Sequence, residues 1–172
     1  MLVLHDSWNP MAHQKAEEAV KLTGSPWLRA FVSFGEGIIG PLVRPGTPGC
    51  SQCADLRRLL GGQERSEMRE VKRKLAAETE TGSDPWASKN GLFHMVHLIV
   101  TEADRVLAGK DGLSAGRMYF TDLKTSNGSW HSFLADSLCQ VCSTIPGDSA
   151  SLAKISLNPS PKISAGSYRC TP

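Results

Sequence analysis

Five cysteines carry the most recognisable chemistry of this 172-residue chain, and four of them form two matched pairs. Each pair has the spacing C-x-x-C, and the second pair lies far along the chain from the first. The two-residue gap lets both thiolates of a pair reach one metal ion, so two pairs that meet in space complete a tetrahedral zinc site. Four thiolates leave no position for a catalytic water. The sequence therefore predicts a structural zinc ion with the ligands Cys50, Cys53, Cys139 and Cys142.

Two other interpretations of the cysteine pairs stay open at this point. Redox-active disulfides are the first, but a thioredoxin-type motif places a single C-x-x-C at the start of a helix after a strand. Both pairs here lie near proline or glycine turns instead. Free buried cysteines are the second, and two matched spacings argue against them. Cys170 has no partner at a motif spacing, and we interpret it as incidental.

The composition is that of an ordinary globular protein. Hydrophobic residues make up 40% and charged residues 21% of the chain, which suits one domain with its own core. The net charge of +2 is spread along the sequence, so no nucleic-acid partner is expected. We find neither a signal peptide nor an apolar run of the ~18 residues that a membrane span needs. Thiols without a secretion signal predict a reducing cytoplasm.

The first part of the chain has a strand–helix–strand pattern. Leu2–His5 is a short apolar run, and Asn9-Pro10 is a typical helix start. Gly24 ends this helix, and Trp27–Phe34 follows as a second strand. The pattern predicts an α/β fold with a mixed sheet. Since such a unit usually lies inside a larger sheet, we expect the chain to correspond to part of a fold.

Gly35 to Gly40 match the pattern G-x-G-x-x-G, which invites a dinucleotide-binding interpretation. That fingerprint must open a helix whose N-terminus holds the pyrophosphate. Pro41 and Pro45 follow instead and exclude a helix. We therefore expect the glycines to form a hairpin turn between Trp27–Phe34 and Ile38–Val43.

The segments between the two cysteine pairs are predicted to be mainly helical. Asp55-Leu56-Arg57-Arg58 reads either as an arginine pair that binds phosphate or carboxylate, or as a solvated helix start with Asp55 in its first turn. Ser66–Glu80 predicts an amphipathic surface helix. Trp86 to Leu107 is apolar on most faces and predicts a central buried helix, in which His94 and His97 have structural roles.

The second cysteine pair follows a predicted β-hairpin. Arg117–Leu123 and Ser129–Leu134 read as strands, with Asn127-Gly128 in the turn. We thus expect a zinc-binding domain over residues 1–145. Residues 146–172 are rich in proline and serine and predict a linker.

These motifs together resemble one known family. Three features are similar to the ThiF-like component of thiazole/oxazole-modified microcin biosynthesis. They are the run Ile39–Gly46, the first cysteine pair followed by Asp55-Leu56-Arg57-Arg58, and the late cysteine pair after a hairpin. This ubiquitin-activating-enzyme-like component is the scaffold of a cyclodehydratase. The tail Ser156–Arg169 resembles the junction at which such a scaffold continues into a fused YcaO domain.

The resemblance implies a partial ThiF-like fold in which the four paired cysteines bind structural zinc. It also implies a role in presenting a ribosomal precursor peptide to a YcaO enzyme, which uses ATP to convert Cys, Ser or Thr to azolines. The family fold begins with a nucleotide-binding half, and this chain matches only the later part. Leader binding and catalysis by the chain alone are therefore not expected.

The expected function is that of a non-catalytic, zinc-stabilised scaffold in bacteriocin maturation. No Ser-His-Asp or Cys-His set can be positioned from the sequence. One alternative is an adenylating or sulfur-transfer enzyme of the ThiF type, for which Asp6 is the only candidate magnesium ligand and reads more simply as a turn residue. Another is an unrelated zinc-ribbon interaction module. An uncovered edge strand further predicts a homodimer or a complex with a YcaO protein.

Overall fold

A five-stranded mixed sheet organises the computed structural model, which describes residues 1–61 and 87–143 together with positions 67, 70 and 74. The strands lie in chain order across the sheet. The first two are parallel, and every later neighbour is antiparallel. The strands are β1 (Leu2–His5), β2 (Trp27–Ser33), β3 (Glu36–Val43), β4 (Arg117–Asp122) and β5 (Gly128–Ser132).

Helix α1 (Pro10–Thr23) connects the two parallel strands, as the sequence predicts. The side-chain oxygen of Asn9 accepts a hydrogen bond from the Ala12 amide at 2.9 Å, which caps the helix N-terminus. At the other end Gly24 adopts a left-handed conformation with φ of 68°, and its amide donates to the Val20 carbonyl. The predicted strand–helix–strand unit is confirmed.

The glycine-rich stretch forms a hairpin, although most of its glycines lie outside the turn. Phe34 and Gly35 make the turn with φ values of 54° and 78°. Gly37 lies within β3, so the prediction that it belongs to the turn is wrong, whereas Gly40 lies in the strand as the predicted bounds Ile38–Val43 require. A Cβ atom at Gly37 would overlap the Met95 sulfur, which explains the glycine by close packing rather than by a turn. No helix follows Gly40, which excludes the pyrophosphate-binding fingerprint here.

Two further helices cover opposite faces of the sheet. Helix α2 (Ser51–Gly61) lies on the same face as α1, and α3 (Lys89–Leu107) lies on the other. Alternate residues of β2 supply the two cores because side chains alternate along a strand. The core under α3 contains Leu28, Ala30, Val32, Ile39, Leu42, Met95, Ile99, Tyr119 and Leu123. The opposite face packs around Trp27, Phe31 and Ile38.

Helix α3 packs on the sheet along one face only. Met95 and Ile99 are buried there, and Ser88 caps the helix start. Phe93 and Leu107, by contrast, are 72% and 85% exposed. The expected central buried helix is therefore half buried, because no element among residues 1–61 and 87–143 covers its outer face.

The β4–β5 hairpin leads into the second cysteine pair as expected, but its turn differs from the prediction. Gly128 already pairs with Thr121 in the ladder, and Ser126 carries the positive φ of 58°. The predicted helix Ser66–Glu80 lies outside the continuously described residues, and the proposed boundary between 1–145 and 146–172 lies beyond them altogether. Both stay predictions.

Candidate metal centre

The first cysteine pair is held at the start of α2. Cys50 directly precedes the helix, and Cys53 lies in its first turn, so both sulfurs point to the same side. Each of these cysteines is 1% exposed. Gly49 has φ of 105°, a conformation that favours glycine, and this lets the preceding loop turn into the helix. The turn and the helix together fix the geometry of the pair.

The second pair follows β5 in a compact turn. The Cys139 amide donates to the Asp136 carbonyl at 3.1 Å, and the Ser143 amide donates to the Cys139 carbonyl at 2.9 Å. Cys139 is 8% exposed and Cys142 is half buried. This turn carries both sulfurs to the first pair, as the sequence predicts.

The four sulfur atoms form one cluster. The Cys50 Sγ lies 3.5 Å from that of Cys139 and 3.8 Å from that of Cys53, and the Cys53 Sγ lies 3.4 Å from that of Cys142. All four sulfurs lie within 4.8 Å of one another. A disulfide needs about 2.05 Å, whereas a tetrahedron with Zn–S bonds of about 2.3 Å has sulfurs about 3.8 Å apart. The cluster could therefore hold a metal ion, and it has the right size for zinc.

Two backbone amides point at the sulfurs. The Gly49 amide donates to Cys142 Sγ at 3.3 Å, and the Asp136 amide donates to Cys53 Sγ at 3.4 Å. Hydrogen bonds of this kind stabilise a thiolate and orient it toward a metal ion. Each cysteine pair thus receives one such bond from the segment that carries the other pair.

Burial controls the ionisation of the thiols. Desolvation raises the pKa of Cys50 and raises the pKa of Cys53 to about 11. Burial also acts against ionisation of Cys142, but amides of Cys50 and Gly49 outweigh it and lower the pKa of that thiol. The thiolate is the form that binds a metal ion, so a cation in the cluster must offset the desolvation that opposes ionisation of Cys50 and Cys53. A divalent cation supplies the compensating charge that four thiolates require.

A carboxylate from α1 caps the helix that carries the first pair. The Glu17 Oε1 accepts a hydrogen bond from the Ser51 amide at 2.9 Å, and Glu17 is 3% exposed. A negative charge at a helix N-terminus satisfies a free amide and interacts favourably with the helix dipole. Burial nevertheless raises the pKa of Glu17. The cap ties α1 to the cysteine pair.

A buried ion pair anchors the same helix to the sheet. Arg29 on β2 donates to Asp55 at 2.8 Å, to the Gly40 carbonyl at 2.9 Å and lies 3.3 Å from the His13 ring nitrogen. The side chains of Arg29 and Asp55 are 0% and 5% exposed. The prediction of a solvated Asp55 is therefore wrong, because the aspartate faces the sheet rather than solvent. The sequence did contain a signal for this ion pair, because an arginine inside the apolar run Trp27–Phe34 indicates a buried charge that needs a partner.

Arg58 also departs from the predicted solvated helix start. Its side chain is 12% exposed and its guanidinium lies 5.4 Å from the Trp8 ring and 3.7 Å from a Glu36 oxygen. Desolvation lowers the pKa of Arg58. Arg57 contacts the Leu134 carbonyl from the surface instead. The two arginines thus do not act as a pair.

The histidines of α3 and β5 differ in their surroundings. His94 Nε2 lies 3.1 Å from the Tyr119 hydroxyl, in agreement with its predicted structural role. His131 Nε2 lies 2.7 Å from the Ser129 hydroxyl on the surface. His97 is exposed on the outer face of α3, so the predicted structural role is wrong for this histidine. Asp6 is an exposed residue in the bend after β1, as its turn interpretation predicts.

No family model and no curated protein matches the sequence. Solved structures do match the fold. MccB from E. coli, solved with MccA, is 14% identical with a TM-score of 0.53, and the match covers 83% of this chain and 39% of MccB. A heterocyclase solved with substrate and cofactor is 18% identical with a TM-score of 0.55, over 83% of this chain and 20% of that protein. The heterocyclase TruD is 19% identical with a TM-score of 0.53, over 83% and 22%.

These likenesses define the fold of the chain. It is the mixed α/β fold found in part of MccB and of the heterocyclases, and it spans between a fifth and two fifths of their lengths. The four cysteines cluster within this fold. Among the described residues, no helix combines the length and apolar character that a membrane crossing requires.

Proposed function

We propose that this chain is a zinc-stabilised scaffold segment of a cyclodehydratase that matures a ribosomal thiazole/oxazole-containing bacteriocin peptide. One observation carries the proposal: a four-cysteine cluster of zinc dimensions lies within a fold shared with heterocyclases. The resemblance of the cysteine motifs to the ThiF-like family points the same way. MccB, described as a microcin C7 biosynthetic enzyme and solved with N-formylated MccA, adds a peptide-handling neighbour.

In this proposal the zinc ion has a structural task. Cys50 and Cys53 at the start of α2 and Cys139 and Cys142 after β5 would bind it, so that it joins two distant parts of the chain. Bound zinc supplies a crosslink and no reactive water, since four thiolates fill its coordination shell. The chain itself is non-catalytic. Its proposed partners are a precursor peptide, a YcaO-type enzyme and a second copy of the chain.

The first experiment measures metal content by elemental analysis of the purified protein. We expect about one zinc per chain, since one four-thiolate cluster takes one ion. A Cys50→Ser variant should lose the zinc and lose cooperative folding, because binding and folding are coupled in such sites. Cys170→Ser is the matched control and should retain both. A metal-free wild-type protein whose paired thiols oxidise readily to disulfides would refute the zinc proposal and favour a redox role.

The second experiment tests the scaffold role against an enzymatic one. MccB has been solved with AMPCPP, so an adenylating function is the competing candidate. We expect no ATP–pyrophosphate exchange by this chain, because β3 continues through Gly40 where a phosphate loop needs a helix. Binding of a precursor peptide or a YcaO protein, measured by calorimetry, supports the scaffold. Exchange activity above that of the Cys50→Ser variant would overturn it.

A further inference from the structure

Access to solvent differs among the four cysteines of the cluster. Cys50, Cys53 and Cys139 are at most 8% exposed, whereas Cys142 is half buried. A metal-bound cysteine is a thiolate, and the thiolate is the form that reacts with oxidants and alkylating reagents. All four cysteines share this form in the proposed zinc site, so access decides which of them reacts first. Cys142 is the most accessible of the four.

A cavity of about 120 Å³ borders Cys142. Its walls include two cationic side chains, Lys21 and Arg44, together with the buried Glu17. Cys50 also borders the cavity but is 1% exposed. One water molecule needs about 10–15 Å³ of such space, so a reagent of a few heavy atoms can enter. The two cations favour an anionic reagent there, because a charged cleft raises the local concentration of ions of opposite sign.

A second cavity, of about 260 Å³, borders Cys53 and Cys139. Its walls contain Asp136 and three leucines, and no lysine or arginine of the described chain lines it. Both of these cysteines are buried. An anionic reagent is therefore favoured at Cys142 and disfavoured at Cys53 and Cys139.

Cys142 has a close partner in the other motif. The Cys53 Sγ lies 3.4 Å from the Cys142 Sγ, whereas it lies 3.8 Å from the Cys50 Sγ within its own motif. A disulfide needs about 2.05 Å, so the sulfurs of Cys53 and Cys142 must approach each other by about 1.4 Å. The cluster thus places the accessible cysteine beside a second thiolate from a distant part of the chain.

We propose that Cys142 is the oxidation site of the cluster and that Cys53 is its resolving partner. The inference rests on the proposed zinc site, because metal binding keeps all four cysteines as thiolates. The Cys142 thiolate attacks one oxygen of hydrogen peroxide, so that an S–O bond forms, the O–O bond breaks and hydroxide leaves with the electron pair. The Cys53 thiolate then attacks the Cys142 sulfenic acid, so that an S–S bond forms, the S–O bond breaks and a second hydroxide leaves. In total the two thiolates lose two electrons, and the peroxide gains them.

This oxidation exchanges one crosslink for another. The two remaining thiolates, Cys50 and Cys139, cannot complete a tetrahedral site, so the cluster releases its zinc. The new disulfide still joins the start of α2 to the turn after β5. A thiol reductant reverses the step, because disulfides exchange with thiolates. The site therefore responds to peroxide while its two segments stay connected.

Peptide mapping by mass spectrometry of the zinc-loaded full chain provides the first test. The Cys170→Ser variant serves as the parent protein, so that only the four clustered cysteines can react. We expect a limiting amount of iodoacetamide to label Cys142 at least about fivefold faster than any other cysteine. An equimolar amount of hydrogen peroxide should give the Cys53–Cys142 disulfide and release the zinc, which a chromogenic chelator measures. Faster labelling of another cysteine, or any other disulfide as the main product, overturns the proposal.

Reagent charge tests the route through the first cavity. Iodoacetate carries a carboxylate where iodoacetamide has a neutral amide, so the ratio of their rates at Cys142 reports the electrostatics of the route. Lys21→Glu should lower this ratio by at least about threefold, because it reverses a charge in the cavity wall. Lys15→Glu is the matched control, since Lys15 is exposed on the same helix and does not line the cavity. Its effect should stay below about 1.5-fold at about 0.15 M salt, where the Debye length is about 8 Å. Equal effects of the two variants overturn the proposed route.

Metal analysis before any reagent is added separates this inference from the proposed function. A protein without zinc overturns the proposed zinc site and the oxidation site with it. A zinc-containing protein in which all four cysteines react at one rate overturns the oxidation site alone.

Discussion

The buried ion pair between β2 and α2 allows a quantitative prediction. Arg29 is fully buried and its guanidinium lies 2.8 Å from the Asp55 carboxylate. Removal of one partner from such a pair leaves a buried charge without its counterion, which destabilises a protein by about 3–5 kcal/mol. Asp55→Ala should therefore lower the free energy of unfolding by about this amount.

Arg29→Met and Asp55→Ala should lower the free energy of unfolding by different amounts. Arg29→Met leaves a carboxylate, which can reduce its desolvation penalty by binding a proton. Asp55→Ala leaves a guanidinium, which stays charged in proteins. We therefore expect Asp55→Ala to be the more destabilising change near neutral pH, and the Arg29→Met defect to shrink as the pH falls.

Urea unfolding at a fixed zinc concentration measures these effects, after the zinc content of each variant has been checked. Asp111→Ala is the matched control, because Asp111 pairs with Arg44 at 3.7 Å on the surface and its side chain is 95% exposed. Loss of this surface ion pair should change the free energy of unfolding by about 1 kcal/mol or less. If Asp55→Ala behaves like Asp111→Ala, the buried pair does not stabilise the contact between α2 and the sheet.

Three further predictions concern other parts of the fold. Glu102, 2% exposed, accepts two backbone amides of the loop before β4, so Glu102→Gln should destabilise by about 1–3 kcal/mol and speed hydrogen exchange at those amides. Gly37→Ala should destabilise by about 1–3 kcal/mol through overlap with Met95, and Met95→Ala in the same chain should relieve part of that loss in urea unfolding. The Lys124 amide, with a second turn amide, lowers the pKa of Asp122, so its carboxyl should titrate below 3.8 by NMR. The lowered pKa of Asp122 stabilises the folded protein at pH values above the ordinary aspartate pKa. This stabilisation is lost as the pH falls through the pKa that Asp122 has in the folded protein.

The elements near the N-terminus were predictable because their signals are local. Asn9, Pro10 and Gly24 mark the ends of α1 by capping chemistry that depends on a few adjacent residues. The meeting of the two cysteine pairs was predictable for another reason, since metal coordination relates distant residues through a spacing rule. The ends of α1 and the cysteine cluster both followed from such rules.

The prediction failed where burial depends on packing between elements. Asp55 was expected in solvent because its neighbours in sequence are charged, but its partner Arg29 lies on a different element. The outer face of α3 was expected in the core because it is apolar, but hydrophobicity alone does not show what covers a surface. In both cases the missing information was the identity of the facing residue.

The joining of residues 50–53 to residues 139–142 also bears on how the chain can vary in length. The chain between the two cysteine pairs forms one closed loop whose ends meet at the four-cysteine cluster. Loop-closure entropy rises only slowly with length, by about 0.6 kcal/mol for each doubling. Insertions or deletions between α2 and α3 are therefore expected to disturb the cluster little. A change of length in this stretch is therefore expected to leave the geometry of the sheet and of the cysteine cluster intact.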